Sequence, residues 1–183
     1  MAVSPDNGSS GRPPWSVWVA TAGGIGYAPG APGTFGSAAA LVLFLGLAGL
    51  SLPVYLLTVA ALSCLGVWAS DQAERFFASH DDGRIVIDEV AGQLLALTPL
   101  LVWRPAGGPG WAWAWTTGLV TAFVAFRVFD IWKPGPVGWA QDRFPGGLGV
   151  MADDLLAGVL AGIVVALAVA LGLIPVVSTG SGA

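Results

Sequence analysis

Five apolar stretches divide the chain. They run from Ser37 to Leu50, from Val54 to Ala69 after a break at Ser51 and Pro53, from Val90 to Trp103, from Trp111 to Phe129 and from Leu155 to Ile174. They are continuous rather than alternating, and they predict helices. Several are shorter than the roughly 20 residues that a perpendicular membrane crossing needs, a gap that tilt, polar helix ends or local bilayer thinning closes. The breaks between them are strong. Arg104-Pro105-Ala106-Gly107-Gly108-Pro109-Gly110 cannot be helix, Lys133-Pro134-Gly135-Pro136 stops the fourth segment, and Gly146-Gly147-Leu148-Gly149 precedes the fifth. Trp15 to Ala22 is too short to cross and is expected in the interface, where tryptophan is favoured. Ala157, Gly158, Ala161 and Gly162 suit close helix packing in lipid. The expected fold is all-α: a polytopic transmembrane bundle of about five membrane helices. Residues 1–30 read as a flexible tail and interfacial segment, 31–175 as one membrane-embedded catalytic domain and 176–183 as a second tail.

Composition supports the bilayer as solvent. Charged residues make up 10% of the 183, against roughly 25% in soluble proteins, hydrophobic residues make up 55%, and the mean hydropathy is +0.77. A net charge of -4 leaves no basic stripe for a phosphate backbone, so nucleic acid is not an expected partner. The single cysteine, Cys64, lies in an apolar helix, and no Cys/His cluster suggests zinc or redox chemistry. Met1 to Pro14 is rich in Ser, Gly and Pro and lacks the pattern of a secretory signal.

Charge placement is more informative than charge content. If five helices cross alternately, the start of the first, the end of the second, the start of the third, the end of the fourth and the start of the fifth share one membrane face. Asp71, Glu74, Asp81, Asp82, Asp88, Glu89, Asp130, Asp142, Asp153 and Asp154 all fall there, as do Arg12, Arg75, Arg84, Arg127, Lys133 and Arg143; Arg104 falls opposite. The positive-inside rule makes this face cytoplasmic. Acids favour helix N-termini for capping alone, yet ionisable groups at membrane helix ends facing a bundle mark function.

Carboxylates without His or Cys ligands suit a hard cation. Mg²⁺ typically takes one or two carboxylates together with waters and phosphate oxygens. Arg127, Asp130 and Lys133 follow at intervals of three, so two cations and a carboxylate can share one helix face. That grouping suits a phosphoryl group, whose charge is spread over several oxygens. Asp88-Glu89 and Asp153-Asp154 point about 100 degrees apart within each pair, so one member can bind metal while the other meets a different partner. The run from Gly30 to Ser37 offers backbone N–H groups to an anion at the entry to the first helix.

Three blocks carry a family resemblance: Pro32-Gly33-Thr34-Phe35-Gly36-Ser37; His80-Asp81-Asp82-Gly83-Arg84-Ile85-Val86-Ile87-Asp88-Glu89 with Gly92; and Phe126-Arg127-Val128-Phe129-Asp130-Ile131-Trp132-Lys133-Pro134-Gly135-Pro136, continuing from Gly146 to Asp154 and to Ala157-Gly158. The chain resembles the phosphatidylglycerophosphatase A family of bacterial integral membrane lipid phosphatases. The resemblance implies Mg²⁺-dependent hydrolysis of phosphatidylglycerophosphate, a membrane lipid, to phosphatidylglycerol and inorganic phosphate at the cytoplasmic face of the inner membrane. It leads us to expect Asp88, Asp130 and Asp154 as metal ligands, Glu89 or Asp153 as the base, and Arg127 and Lys133 as phosphate-holding groups. Gly33, Thr34, Gly36, Ser37 and His80 are expected at the substrate. Water attack and an aspartyl-phosphate intermediate both remain open. Gly135 departs from the family's commoner pattern, where a bulkier apolar residue stands between the prolines.

Two rival readings differ in chemistry. A CDP-alcohol phosphotransferase would also use Asp and Mg²⁺, but its spacing is absent beyond a faint echo in Asp82-Gly83-Arg84. A small cation transporter would need carboxylates near the bilayer midplane, whereas these acids gather at one face.

Overall fold

In the computed structural model the described residues are 12–103 and 111–174. The turn expected from Arg104 to Gly110, the first eleven residues and the tail expected at 176–183 lie outside them. The regular elements among the described residues are all helices, without strands: α1 Trp15–Ala20, α2 Pro32–Leu47, α3 Leu52–Phe77, α4 Ile87–Leu97, α5 Pro99–Val102, α6 Trp111–Trp132, α7 Pro136–Arg143 and α8 Gly147–Ala170, with one 3-10 turn at Ile25–Tyr27.

The apolar segments appear as helices in the expected order, but they are unequal. Only α3, α6 and α8 are long and apolar enough, among the described residues, to cross a bilayer. The 16 residues of α2 span about 24 Å and the 11 of α4 about 16 Å, against a hydrocarbon core of about 30 Å. A proline explains the short α4: Pro99 has no N–H to continue the ladder, and α5 takes over after Thr98. Outward positions remain apolar, for example Leu57 on α3, Ile131 on α6 and Leu167 on α8, as a lipid-facing surface requires.

α4 is the centre of the bundle. Nine of its 11 positions pack inward against α2, α3, α6 and α8, leaving Glu89 and Leu95 half-buried. Close approach to α8 depends on two missing side chains: a Cβ at Gly92 would sit 2.5 Å from the Asp154 carbonyl oxygen, and one at Gly158 would strike the Gly92 carbonyl. Ala157, Gly158, Ala161 and Gly162 are all buried, which is the small-residue packing expected where lipid supplies no hydrophobic drive between helices. α1 lies on the outside of α3, with Trp15 stacked on Trp68 at 4.3 Å between ring centroids. The Val86 amide donates to the Ala20 carbonyl at 2.9 Å, tying this N-terminal segment to the loop before α4.

That loop is built by charged residues. Glu74 Oε1, near the end of α3, accepts from the Asp81 amide at 2.8 Å and pairs with His80 Nδ1 at 2.6 Å. Asp82 grips Arg84 through Nε at 2.7 Å and Nη2 at 2.7 Å, and the guanidinium lies 3.7 Å from the centre of the Phe77 ring.

Candidate active site

The loop and helix ends converge on one acidic chamber. Asp88 and Glu89 open α4, Asp153 and Asp154 lie in the second turn of α8, and Asp130 lies in the last turn of α6. Asp88, Asp130, Asp153 and Asp154 are all buried. One carboxylate oxygen each from Asp88, Glu89 and Asp154 falls within 4.8 Å of the others. Asp88 Oδ1, Glu89 Oε2 and Asp154 Oδ2 have no hydrogen-bond partner although each is buried.

Magnitudes decide what such a cluster requires. Two carboxylate charges 4.8 Å apart repel by about 3.5 kcal/mol at an effective dielectric of about 20. Three pairs therefore approach roughly 10 kcal/mol, comparable to the whole stability of an ordinary domain. A cation or protons must relieve it. The donor set is three hard oxygen ligands without nitrogen or sulfur, and the orphaned lone pairs are what a divalent ion would fill. This buried acidic group can hold a metal ion.

Two cations flank the acids. Arg127 pairs closely with Asp130 and reaches Glu89 at 4.0 Å. Lys133 Nζ donates to Asp153 Oδ2 at 2.6 Å. Burial pulls the Lys133 ammonium down, but the Asp153 hydrogen bond and charge outweigh it, so Lys133 sits above the ordinary lysine value and stays charged. Its backbone is left-handed, with φ +46, where a non-glycine residue is strained. That conformation follows from the helix stop: Pro134 cannot continue α6, and the chain turns at Lys133 into the loop that leads to α7.

α2 closes the chamber with glycine. A Cβ at Gly33 would collide with Glu89 Oε1 and lie 3.1 Å from Arg127 Nη1, while one at Gly36 would sit 3.0 Å from the Val86 side chain. The helix begins earlier than the apolar pattern indicates, at Pro32. The Thr34 and Phe35 amides bond back to the Ala31 carbonyl, leaving the Gly33 amide in the first turn for an anion. Ser37 donates its hydroxyl to the Gly33 carbonyl at 2.9 Å, so it braces the turn.

Most residues singled out in the sequence thus meet here: Gly33, Gly36, Asp88, Glu89, Arg127, Asp130, Lys133, Asp153 and Asp154, while Thr34 and Ser37 take part in the adjoining first turns of α2 through the Ala31 and Gly33 carbonyls. The carboxylates gather differently in one respect. Glu89 completes the three-oxygen set with Asp88 and Asp154, and Asp130, close to Asp154, is engaged by Arg127. His80 is not brought to the chamber. It is exposed, pairs with Glu74 and lines a separate polar cleft with Asp81, Gln141, Asp142 and Arg143. Gln141 Nε2 donates to Asp81 Oδ2 at 2.8 Å, which fastens α7 across that cleft. The α7 helix carried no apolar signal.

A family profile described as phosphatidylglycerophosphatase A matches residues 18–169. Phosphatidylglycerophosphatase A of Escherichia coli K12 is 37% identical over 147 residues, covering 80% of this chain and 78% of its own. The Haemophilus influenzae protein of the same name is 34% identical over 143 residues, covering 78% and 81%. A Bacteroides thetaiotaomicron protein, provisionally named a phosphatidylinositol-3-phosphatase, is 39% identical over 160 residues, covering 83% and 92%. No solved structure gives a significant match.

Proposed function

From the premise that the chain belongs to the phosphatidylglycerophosphatase A family, we propose that the chamber of Asp88, Glu89 and Asp154 holds Mg²⁺ and hydrolyses its substrate at the cytoplasmic face of the inner membrane. The protein is a membrane-associated lipid phosphatase that hydrolyses phosphatidylglycerophosphate. The observation that carries the metal reading is the set of three close carboxylates, each with one buried oxygen that has no partner, with Arg127 and Lys133 paired to the neighbouring Asp130 and Asp153. The clustering of Arg75, Arg84, Arg127, Lys133 and Arg143 at this end supports the cytoplasmic assignment.

Within that reading the residues divide the work. A bound ion would polarise the phosphoryl oxygens and offset their charge. Arg127, held by Asp130, and Lys133, held by Asp153, bind the remaining oxygens of the terminal phosphate and stabilise charge as it spreads over them. The Gly33 amide adds a neutral donor where any side chain would exclude the phosphate. Asp153 is the base: Oδ2 is engaged by Lys133, while Oδ1 is buried without a partner. Water oxygen attacks phosphorus, its proton passes to Asp153 Oδ1, and the bond from phosphorus to the glycerol oxygen breaks. That oxygen takes up a proton from a second water, and the hydroxide so formed takes the proton back from Asp153, which regenerates the base and yields phosphatidylglycerol and inorganic phosphate.

Phosphate release from micellar phosphatidylglycerophosphate, phosphatidic acid and phosphatidylinositol 3-phosphate tests the substrate. Preference for the first by at least tenfold in kcat/KM is expected. Equal or better turnover of the inositol lipid would move the assignment toward the name carried by the Bacteroides relative.

A further inference from the structure

Gln93 is completely buried in α4, and neither its Nε2 nor its Oε1 has a hydrogen-bond partner. An unsatisfied carboxamide buried inside the bundle is costly, because no solvent is present to replace the missing bonds. The Tyr55 hydroxyl, by contrast, donates to the adjacent Leu94 carbonyl at 2.7 Å. Gln93 follows Glu89 by four residues, so the two side chains share one face of α4 a turn apart. Glu89 Oε2 is the neighbouring orphan, also buried and unpartnered. The same face is covered by α2, where a Cβ at Gly36 would lie 3.6 Å from Glu89 Cβ. Side chains one turn apart, with about 5–6 Å between their Cβ atoms, leave a separation that a single water can bridge.

We propose that Gln93 is a positioning residue for the metal site: its Nε2–H donates through one buried water to one lone pair of Glu89 Oε2 and fixes the orientation in which the Glu89 carboxylate faces the cation. Hydrogen-bonded partners of this kind orient ligating carboxylates, and their loss typically weakens metal affinity 10–100-fold. The inference rests on the reading of Asp88, Glu89 and Asp154 as a metal site.

The test opposes affinity to stability. Gln93→Leu keeps the volume and deletes the carboxamide, so a packing residue and a positioning residue respond in different ways. Full-length protein in detergent is titrated with Mn²⁺ and the free ion read by electron paramagnetic resonance, beside thermal unfolding without metal. The expected result is a 10–100-fold weaker Mn²⁺ Kd with an unchanged or higher metal-free Tm, since an unpaired buried amide has been removed. Gln93→Asn, which keeps a carboxamide, should recover part of the affinity. An unchanged Kd in Gln93→Leu overturns the proposal, and so does Gln93→Asn binding as weakly as Gln93→Leu. A parent protein that binds no Mn²⁺ overturns it together with the metal reading. Mn²⁺ binding without lipid hydrolysis would instead count against the proposed reaction and leave this inference standing.

Discussion

Asp88→Asn should stabilise the metal-free protein while abolishing its catalysis. The side chain keeps its shape, and the substitution removes one of three charges within 4.8 Å. At about 3.5 kcal/mol per pair, two lost repulsions amount to roughly 7 kcal/mol. The observable gain is smaller, because the metal-free parent can escape repulsion by protonating one carboxyl. Holding an ordinary carboxyl neutral at pH 7 costs about 4 kcal/mol, from three pKa units at 1.36 each. The predicted gain is therefore about 1–4 kcal/mol. Mg²⁺ should reverse the ranking: a ligand at 100 times its Kd stabilises the parent by about 2.7 kcal/mol, and the variant, lacking a ligand, should gain far less. The assay is thermal unfolding in detergent at pH 7 with chelator and then with increasing Mg²⁺, beside phosphate release. A metal-free Asp88→Asn protein less stable than its parent, with the full Mg²⁺ response retained, would refute the argument that uncompensated charge dominates this chamber.

Other substitutions probe its walls. Lys133→Met leaves Asp153 buried without its partner; because the Lys133 side chain keeps 29% of its surface exposed, the expected loss of stability is about 2–3 kcal/mol rather than the 3–5 of a fully buried pair, with phosphate release lowered by at least about 100-fold. Gly92→Ala places a Cβ 2.5 Å from the Asp154 carbonyl and 2.6 Å from the Phe126 ring, so α4 and α8 must part, at about 1–3 kcal/mol in unfolding experiments and with weaker Mn²⁺ binding. In the loop before α4, the hydrogen bond from the Arg84 side chain is the main cause that holds Asp82 below its usual 3.8, against partial burial. A depressed folded value means this stabilisation is complete above the ordinary value and is lost as pH falls through the depressed one. Asp82→Asn should therefore lower Tm at pH 6, and the difference from the parent should shrink below about pH 4.

How far the sequence foretold this arrangement can be judged residue by residue. Hydropathy and helix stops sufficed to collect Asp88, Glu89, Arg127, Asp130, Lys133, Asp153 and Asp154 at one end, because alternation of apolar segments constrains which loops meet. It could not tell Glu89 from Asp130 as the third member of the close set. That choice depends on the rotation of α4 against α8, set by contacts at Gly92 and Gly158. Nor could it show that α4 is a short central helix, since an apolar run ending before Pro99 reads the same whether it faces lipid or protein. His80 was drawn toward the substrate by its place in a motif, whereas Glu74 holds it at the surface. Gln93 gave no signal, because one polar residue in an apolar run acquires meaning only from its missing partners and from Glu89 one turn away.

The central claim is that a metal held by buried carboxylates hydrolyses phosphatidylglycerophosphate. Phosphate release by the purified protein, measured in chelator and then in millimolar Mg²⁺ beside Asp88→Asn and Asp154→Asn, tests it most directly. The account predicts turnover only with Mg²⁺ and none in either variant. Turnover undiminished by chelator, or retained in both folded variants, would contradict it.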